Sequence, residues 1–263
     1  MYHFNVENVK NDVVNWIRDW FDGDGEGQGN GKGCNAIIGI SGGKDSTIVA
    51  TLCVEALGKD RVIGVMMPNG DQTDIEDSYK VCDTLGIKSY VINIEDSVND
   101  ILKKLEQNGI EITDQTRTNL PARIRMSTLY AVSQSHNGRV SNNCNLSEDV
   151  VGYSTKFGDA AGDFSPLSNL TTVEIVQLGD YLGLPYELVH KTPIDGLNTN
   201  PDGSYVTDEQ SLGVTYSDIH SYVRGDDILE TEVFEYIAKK EKKNKFKLEP
   251  MKRFEPKYED LFV

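Results

Sequence analysis

AIIGISGGKDSTIVATLCVEALG, residues 36 to 58, decides the fold. Ala36 to Ile40 form a short apolar run of strand length, after which Ile48, Leu52, Cys53 and Leu57 recur at the spacing of one helical face. Gly58 closes that helix. Between strand and helix lies Gly39-Ile40-Ser41-Gly42-Gly43-Lys44-Asp45-Ser46. A turn of this kind places unpaired N–H groups and the positive end of a helix dipole at the carboxyl edge of a sheet. Gly42 and Gly43 let a ligand approach the backbone, and Ser41 and Ser46 add hydroxyl donors, so the stretch reads as a phosphate cradle.

The cradle is not of the Walker A type. That loop needs GxxxxGK followed by Ser or Thr, whereas Gly43-Lys44 is followed by Asp45 and the first glycine position is held by Ile38. An aspartate there repels phosphate unless a divalent cation lies between them. Asp45 therefore reads either as a magnesium ligand or as a helix N-terminal partner of the dipole.

Working outward, strands and helices alternate. RVIGVMM (61 to 67) and KSYVINI (88 to 94) are further strands, with a helix through Ile75, Tyr79, Cys82 and Leu85 between them. Helices follow through Val98 to Leu105 and Leu120 to Tyr130, and then the strand-like GRVSNN (138 to 143). Apolar strands separated by helices predict an α/β fold, a doubly wound parallel sheet covered on both faces. Val9, Val13, Trp16, Ile17 and Trp20 predict an N-terminal helix over 6–21. Glycines alternate with polar residues from Gly23 to Gly33, but the segment follows a helix and lacks a glutamate at the twelfth position of a calcium loop, so it reads as a flexible surface connection. Residues 144–170 and 191–213 read as polar loops around a helix near 171–183, and a helical C-terminal extension occupies 214–263. With the nucleotide-binding core at 35–190, the chain reads as a single domain.

The 263 residues carry 26 Lys plus Arg against 42 Asp plus Glu, a formal charge of −16 that argues against a nucleic-acid partner. Cys34, Cys53, Cys82 and Cys144 lie far apart with no CxxC, which argues for reduced, buried thiols. There is no secretory leader pattern and no apolar run long enough to span a membrane, so a cytoplasmic protein is expected.

SGGKDS resembles the SGGxDS loop of the N-type ATP pyrophosphatases, whose fold is adenine nucleotide alpha hydrolase-like and whose chemistry is adenylation. PNGDQTDIEDS (68 to 78), PARIRM (121 to 126) and NLSEDVVGYSTKFGDAAGDFSPL (145 to 167) narrow this to a resemblance to the ammonia-dependent NAD synthetases. That resemblance implies ATP-dependent amidation of deamido-NAD by ammonia, with release of AMP and pyrophosphate, in a homodimer. It places ATP on residues 39 to 46, with Gln72 and Asp74 nearby, and magnesium on Asp45 and Glu148 as the catalytic pair. It implies deamido-NAD contacts from Arg123, Lys156, Asp163 and Lys247, with Asp159 in the same loop. Unaided, the spacing shows acidic groups around a lysine.

Four positions depart from the family pattern. Thr172 stands where many members carry an ATP-contacting Lys, Ile194 where they carry Thr or Ser, Asn143 where they carry Thr, and Phe246 replaces the His of an HK pair. Losing a buried donor costs about 1 to 3 kcal/mol, so weaker phosphate binding is expected. A nucleotide sensor of the same fold that has lost turnover is one rival reading, and an adenylating enzyme with another substrate is a second.

Overall fold

A computed structural model describes residues 2–72, 75–199 and 205–257. Four parallel strands, β1 (Asn35–Gly39), β2 (Val62–Met66), β3 (Lys88–Val91) and β4 (Gly138–Val140), are arranged in the order β3-β2-β1-β4. β1 pairs with β2 through Ala36↔Val62 to Gly39↔Val65 and with β4 through Asn35↔Gly138 to Ile37↔Val140. The chain therefore runs from β1 outward to β3 and then crosses back to the opposite side of β1. This reversal opens a crevice beyond the carboxyl ends of β1 and β4, the position at which open α/β sheets bind ligands.

Period-two alternation divides the sheet between two cores. Ala36, Ile38, Val62 and Met66 join Val14, Ile17 and Phe21 of α1 (Val6–Asp22), the inner face of α2 (Lys44–Leu57), Val81 and Cys82 of α3 (Ile75–Leu85), and Ile175 and Leu178 of α7 (Thr172–Tyr181). Ile37, Ile63, Val65 and Met67 turn the other way, to Ile94, to Val98 of α4 (Glu95–Gln107), and to Leu120, Ile124 and Leu129 of α5 (Asp114–Ser135). Helices on both faces complete the doubly wound sheet. All four thiols are free and buried.

α5 is longer than the sequence reading, which began at Leu120. Thr113 caps it by accepting the N–H of Thr116, and Pro121 sits inside the helix at its eighth residue. The segment read as polar loop from 144 to 170 contains α6 (Leu146–Val151), and that from 191 to 213 contains an antiparallel hairpin, β5 (Ile194–Thr199) with β6 (Tyr205–Thr207), and α9 (Asp208–Leu212). Short α8 (Tyr186–Val189) follows α7. These elements are too short to display a hydrophobic period. The glycine-rich stretch turns back on α1, with Gly29 N–H donating to Asp19 O at 3.1 Å and Asn30 N–H to Trp20 O at 2.9 Å.

In the C-terminal part, α10 (Tyr216–Arg224) and α11 (Thr231–Asn244) build a smaller core from Val151, Leu212, Val214, Tyr216, Ile219 and Ile237. Val151 ends α6, so this core grips the segment that follows β4. Among the described residues no helix is long and apolar enough to cross a membrane.

Candidate active site

The turn after β1 is organised by its own hydroxyls. Ser41 N–H donates to Ser46 Oγ (3.3 Å), Gly43 N–H donates to Ser41 Oγ (3.2 Å), and Ser46 Oγ donates to Gly43 O (3.2 Å). Gly42 has φ +77° and passes so close to α3 that a Cβ would sit 3.1 Å from Asp77 Cβ and Ser78 Oγ. A side chain there is opposed by both conformation and space. Gly43 caps α2, so the first turn of that helix faces the crevice with Asp45 on it.

Asp45 meets the segment after β4. Asn145 Nδ2 donates to Asp45 Oδ1 at 3.1 Å, and the main-chain N–H of Asn145 donates to Glu148 Oε2 at 3.0 Å. Asn145 and Glu148 form the capping box of α6. Burial, and then the charge of Asp45, push the Glu148 carboxyl well above the usual carboxylate range. Lys44 is buried, with its ammonium 3.2 Å from Asp45 Oδ2 and 5.8 Å from the centre of the Tyr216 ring. Burial opposes its charge, but Asp45, Glu148 and Asp208 outweigh that and raise its pKa. Tyr216 and Tyr153 donate to the two oxygens of Asp208, each at 3.2 Å.

A divalent cation suits this donor set. Two hard carboxylates share one residue as a hydrogen-bond partner, and both the burial and the neighbouring Asp45 charge that raise Glu148 are offset by such an ion. Among the described residues no cluster of three or more potential ligands occurs. One or two carboxylates completed by water and nucleotide phosphate is the usual donor set for magnesium.

The residues expected to contact the dinucleotide are tied down by hydrogen bonds, several of them among residues 152–159 and the C-terminal segment. Arg123 Nε donates to Lys156 O (3.4 Å), Lys156 Nζ to Phe246 O (2.5 Å), and Lys247 Nζ to Gly152 O (2.6 Å) and Ser154 O (2.9 Å). Asp159 Oδ1 accepts Thr155 N–H at 2.8 Å, and Asp163 accepts Val140 N–H at 2.8 Å and the Tyr130 hydroxyl at 3.3 Å. Lys156, Lys247 and Lys44 thus lie on protein acceptors that fix where their ammonium groups sit. Gln72 lies in the segment after β2, whereas Asp74 falls outside the described residues.

Three of the four departures occupy clear positions. Asn143 Nδ2 donates to Gly39 O (3.0 Å), tying the end of β1 to the segment after β4. Thr172, buried at the start of α7, donates through Oγ1 to Asn145 Oδ1 (3.2 Å). Phe246 is exposed and contributes its carbonyl to Lys156. Sequence reasoning missed Asn145, Asp208, Tyr216 and Arg125, whose Nε donates to Met67 O at 3.0 Å. The N-x-x-E spacing of Asn145 and Glu148 was the available signal for the first.

Gly152 joins α6 to the C-terminal helix. Its φ is +69°, and a Cβ there would fall 2.2 Å from Asn244 Cβ, while Asn244 Nδ2 donates to Val151 O at 3.0 Å. Gly152→Ala is expected to destabilise the protein by about 2 to 4 kcal/mol through left-handed strain and overpacking. Urea unfolding checks this.

The chain matches the model of the family described as NAD synthase over residues 14–251. It is 43% identical over 180 residues to the NH(3)-dependent NAD(+) synthetase of Thermococcus sibiricus, covering 68% of each chain. The solved structure of NMN synthetase from Francisella tularensis superposes with a TM-score of 0.83 at 29% identity, covering 97% of this chain and all (100%) of that one. The NH3-dependent NAD synthetase of Campylobacter jejuni does so with a TM-score of 0.77 at 26% identity, covering 96% and 100%. A glycine- and serine-lined turn and a half-buried carboxylate pair at the switch point of a parallel sheet, within a match that spans most of the sequence, place the chain in the NAD synthase family.

Proposed function

We propose that the protein amidates deamido-NAD with ammonia, using ATP and releasing AMP and pyrophosphate. The observation that carries this reading is the convergence of Asp45 and Glu148 on Asn145 beside the phosphate turn. In this reading ATP lies across the carboxyl ends of β1 and β2, with its phosphates on residues 39 to 46 and Gln72 nearby. Asp45 and Glu148 hold magnesium, which when bound supplies charge neutralisation on the phosphate oxygens. Arg123, Lys156 and Lys247 face the anionic dinucleotide, and Asp159 and Asp163 offer acceptors to its neutral groups.

The nicotinate carboxylate oxygen attacks the α-phosphorus as the bond to pyrophosphate breaks, giving a mixed anhydride. Ammonia then attacks the acyl carbon, loses a proton, and AMP leaves with the bonding pair. The chain's own contribution is positioning and preorganised charge, with no covalent enzyme nucleophile. A homodimer working in the cytoplasm belongs to the same proposal and rests on the family resemblance.

Incubation with deamido-NAD, ATP, magnesium and ammonium is expected to yield NAD and AMP in equal amounts, read by chromatography. ADP in place of AMP sinks the assignment of the phosphate turn, and saturable ATP binding without product supports a sensor. The TM-score of 0.83 to an NMN synthetase favours a second reading, amidation of the mononucleotide. Parallel assays with nicotinate mononucleotide separate the two by kcat/KM.

A further inference from the structure

Asn145 is fully buried, and its polar groups are committed to partners. Oδ1 accepts the main-chain N–H of Glu148 (3.1 Å) and the hydroxyl of Thr172 (3.2 Å), and Nδ2 donates to Asp45 Oδ1 (3.1 Å). Its own N–H donates to Glu148 Oε2 (3.0 Å). These neighbours fix the orientation of the amide: a flipped side chain would set its NH2 against two donors and its oxygen against a carboxylate.

A helix cap requires only part of this. The capping box uses Oδ1 and the main-chain N–H within α6, whereas the bond to Asp45 reaches a residue on another helix and serves no helix terminus. Thr172 adds a further restraint from α7. Its hydroxyl holds Asn145 Oδ1, while its N–H donates to Ser147 Oγ (3.0 Å), so α6 and α7 are joined at the same point. The residue that departs from the family's lysine thus acts here through Asn145.

We infer that Asn145, locked by Thr172, is a positioning residue that sets how Asp45 and Glu148 face each other, and thereby how tightly the pair holds a divalent cation on the nucleotide. The inference rests on the magnesium reading of those two carboxylates. Both carboxylates are restrained by the same buried residue, Asp45 by its side-chain amide and Glu148 by its main-chain N–H, so loss of the side-chain arm leaves Asp45 free to turn toward Lys44, whose ammonium is already 3.2 Å away. The expected consequence is weaker metal binding with little change in dinucleotide affinity.

Asn145→Ser separates the two roles, because serine is a good helix cap but too short to reach Asp45. Thr172→Val removes the hydroxyl while leaving Asn145 in place. Mn2+ is titrated into the full chain with a non-hydrolysable ATP analogue and followed by electron paramagnetic resonance, with Asp45→Asn as the control. Binding is expected to weaken about tenfold in Asn145→Ser and about threefold in Thr172→Val, with the KM for deamido-NAD within about twofold of wild type. If Asp45→Asn weakens Mn2+ binding and neither other variant does, Asn145 is only a cap and the positioning role is overturned while the magnesium reading stands. If Asp45→Asn binds Mn2+ like the wild type, the magnesium reading falls and this inference with it. Should Asn145→Ser melt far below the wild type, Thr172→Val alone decides.

Discussion

Asp45→Asn is expected to lower kcat/KM for NAD formation about a thousandfold, because on the proposed magnesium reading it removes a charge clamp on the phosphates and forfeits about 4 kcal/mol of transition-state stabilisation. The substitution preserves shape and removes charge. Its effect on nucleotide binding should change sign with the metal. In excess EDTA the variant binds ATP at least as tightly as the wild type, since a carboxylate that repels phosphate has gone. In magnesium the wild type is expected to bind more tightly, since on the proposed reading the same carboxylate would hold the ion. Calorimetric titration in both conditions checks this crossing. A variant that binds ATP equally with and without magnesium, and still releases AMP at the wild-type rate, would reduce Asp45 to a dipole partner of α2.

The crossing also explains why the sequence alone left Asp45 open. The phosphate turn was legible because strand, glycines and helix are contiguous, and the same local pattern suits a cap or a metal ligand. What supports the metal reading is Glu148, about a hundred positions away, brought near Asp45 by the pairing of β4 with β1 on the side opposite β2. That pairing is not written in either segment. Long amphipathic elements such as α1 and α2 were readable within a few residues of their ends. By contrast α6, α9 and the hairpin hide in polar sequence, since an element of five or six residues shows no period. Thr172 illustrates a different limit. Against the family pattern it reads as a lost lysine, yet its hydroxyl and N–H are both engaged, on Asn145 and Ser147. The departure changes which group is held, and only tertiary contacts reveal that.

The largest expected effect on stability comes from Arg224→Met. Glu174, in the first turn of α7, is 1% exposed, and Arg224 of α10 grips both its oxygens, Nε at 2.7 Å and Nη2 at 2.9 Å. Tyr2 also donates to it, as does Thr171 N–H at 2.7 Å. Burial alone would raise the pKa of Glu174, but Arg224, Tyr2 and Thr171 outweigh that and hold it below the usual value. Removing the guanidinium strands a buried carboxylate, which costs about 3 to 5 kcal/mol, or about 10 °C in Tm. The sign of the pH dependence follows from the lowered pKa. The stabilisation is fully present above the unfolded carboxyl value of about 4.3, and it is lost as pH falls through the lower folded value. The gap in Tm between wild type and variant should therefore be widest near neutrality and close in acid. A gap that stays constant with pH would assign the loss to packing of the arginine stem instead. The pair also bears on catalysis, because Thr171 caps α7 and Thr172 follows it directly. Loosening this end of α7 should weaken the hold on Asn145, so the variant should need more magnesium for half-maximal rate at temperatures where it remains folded.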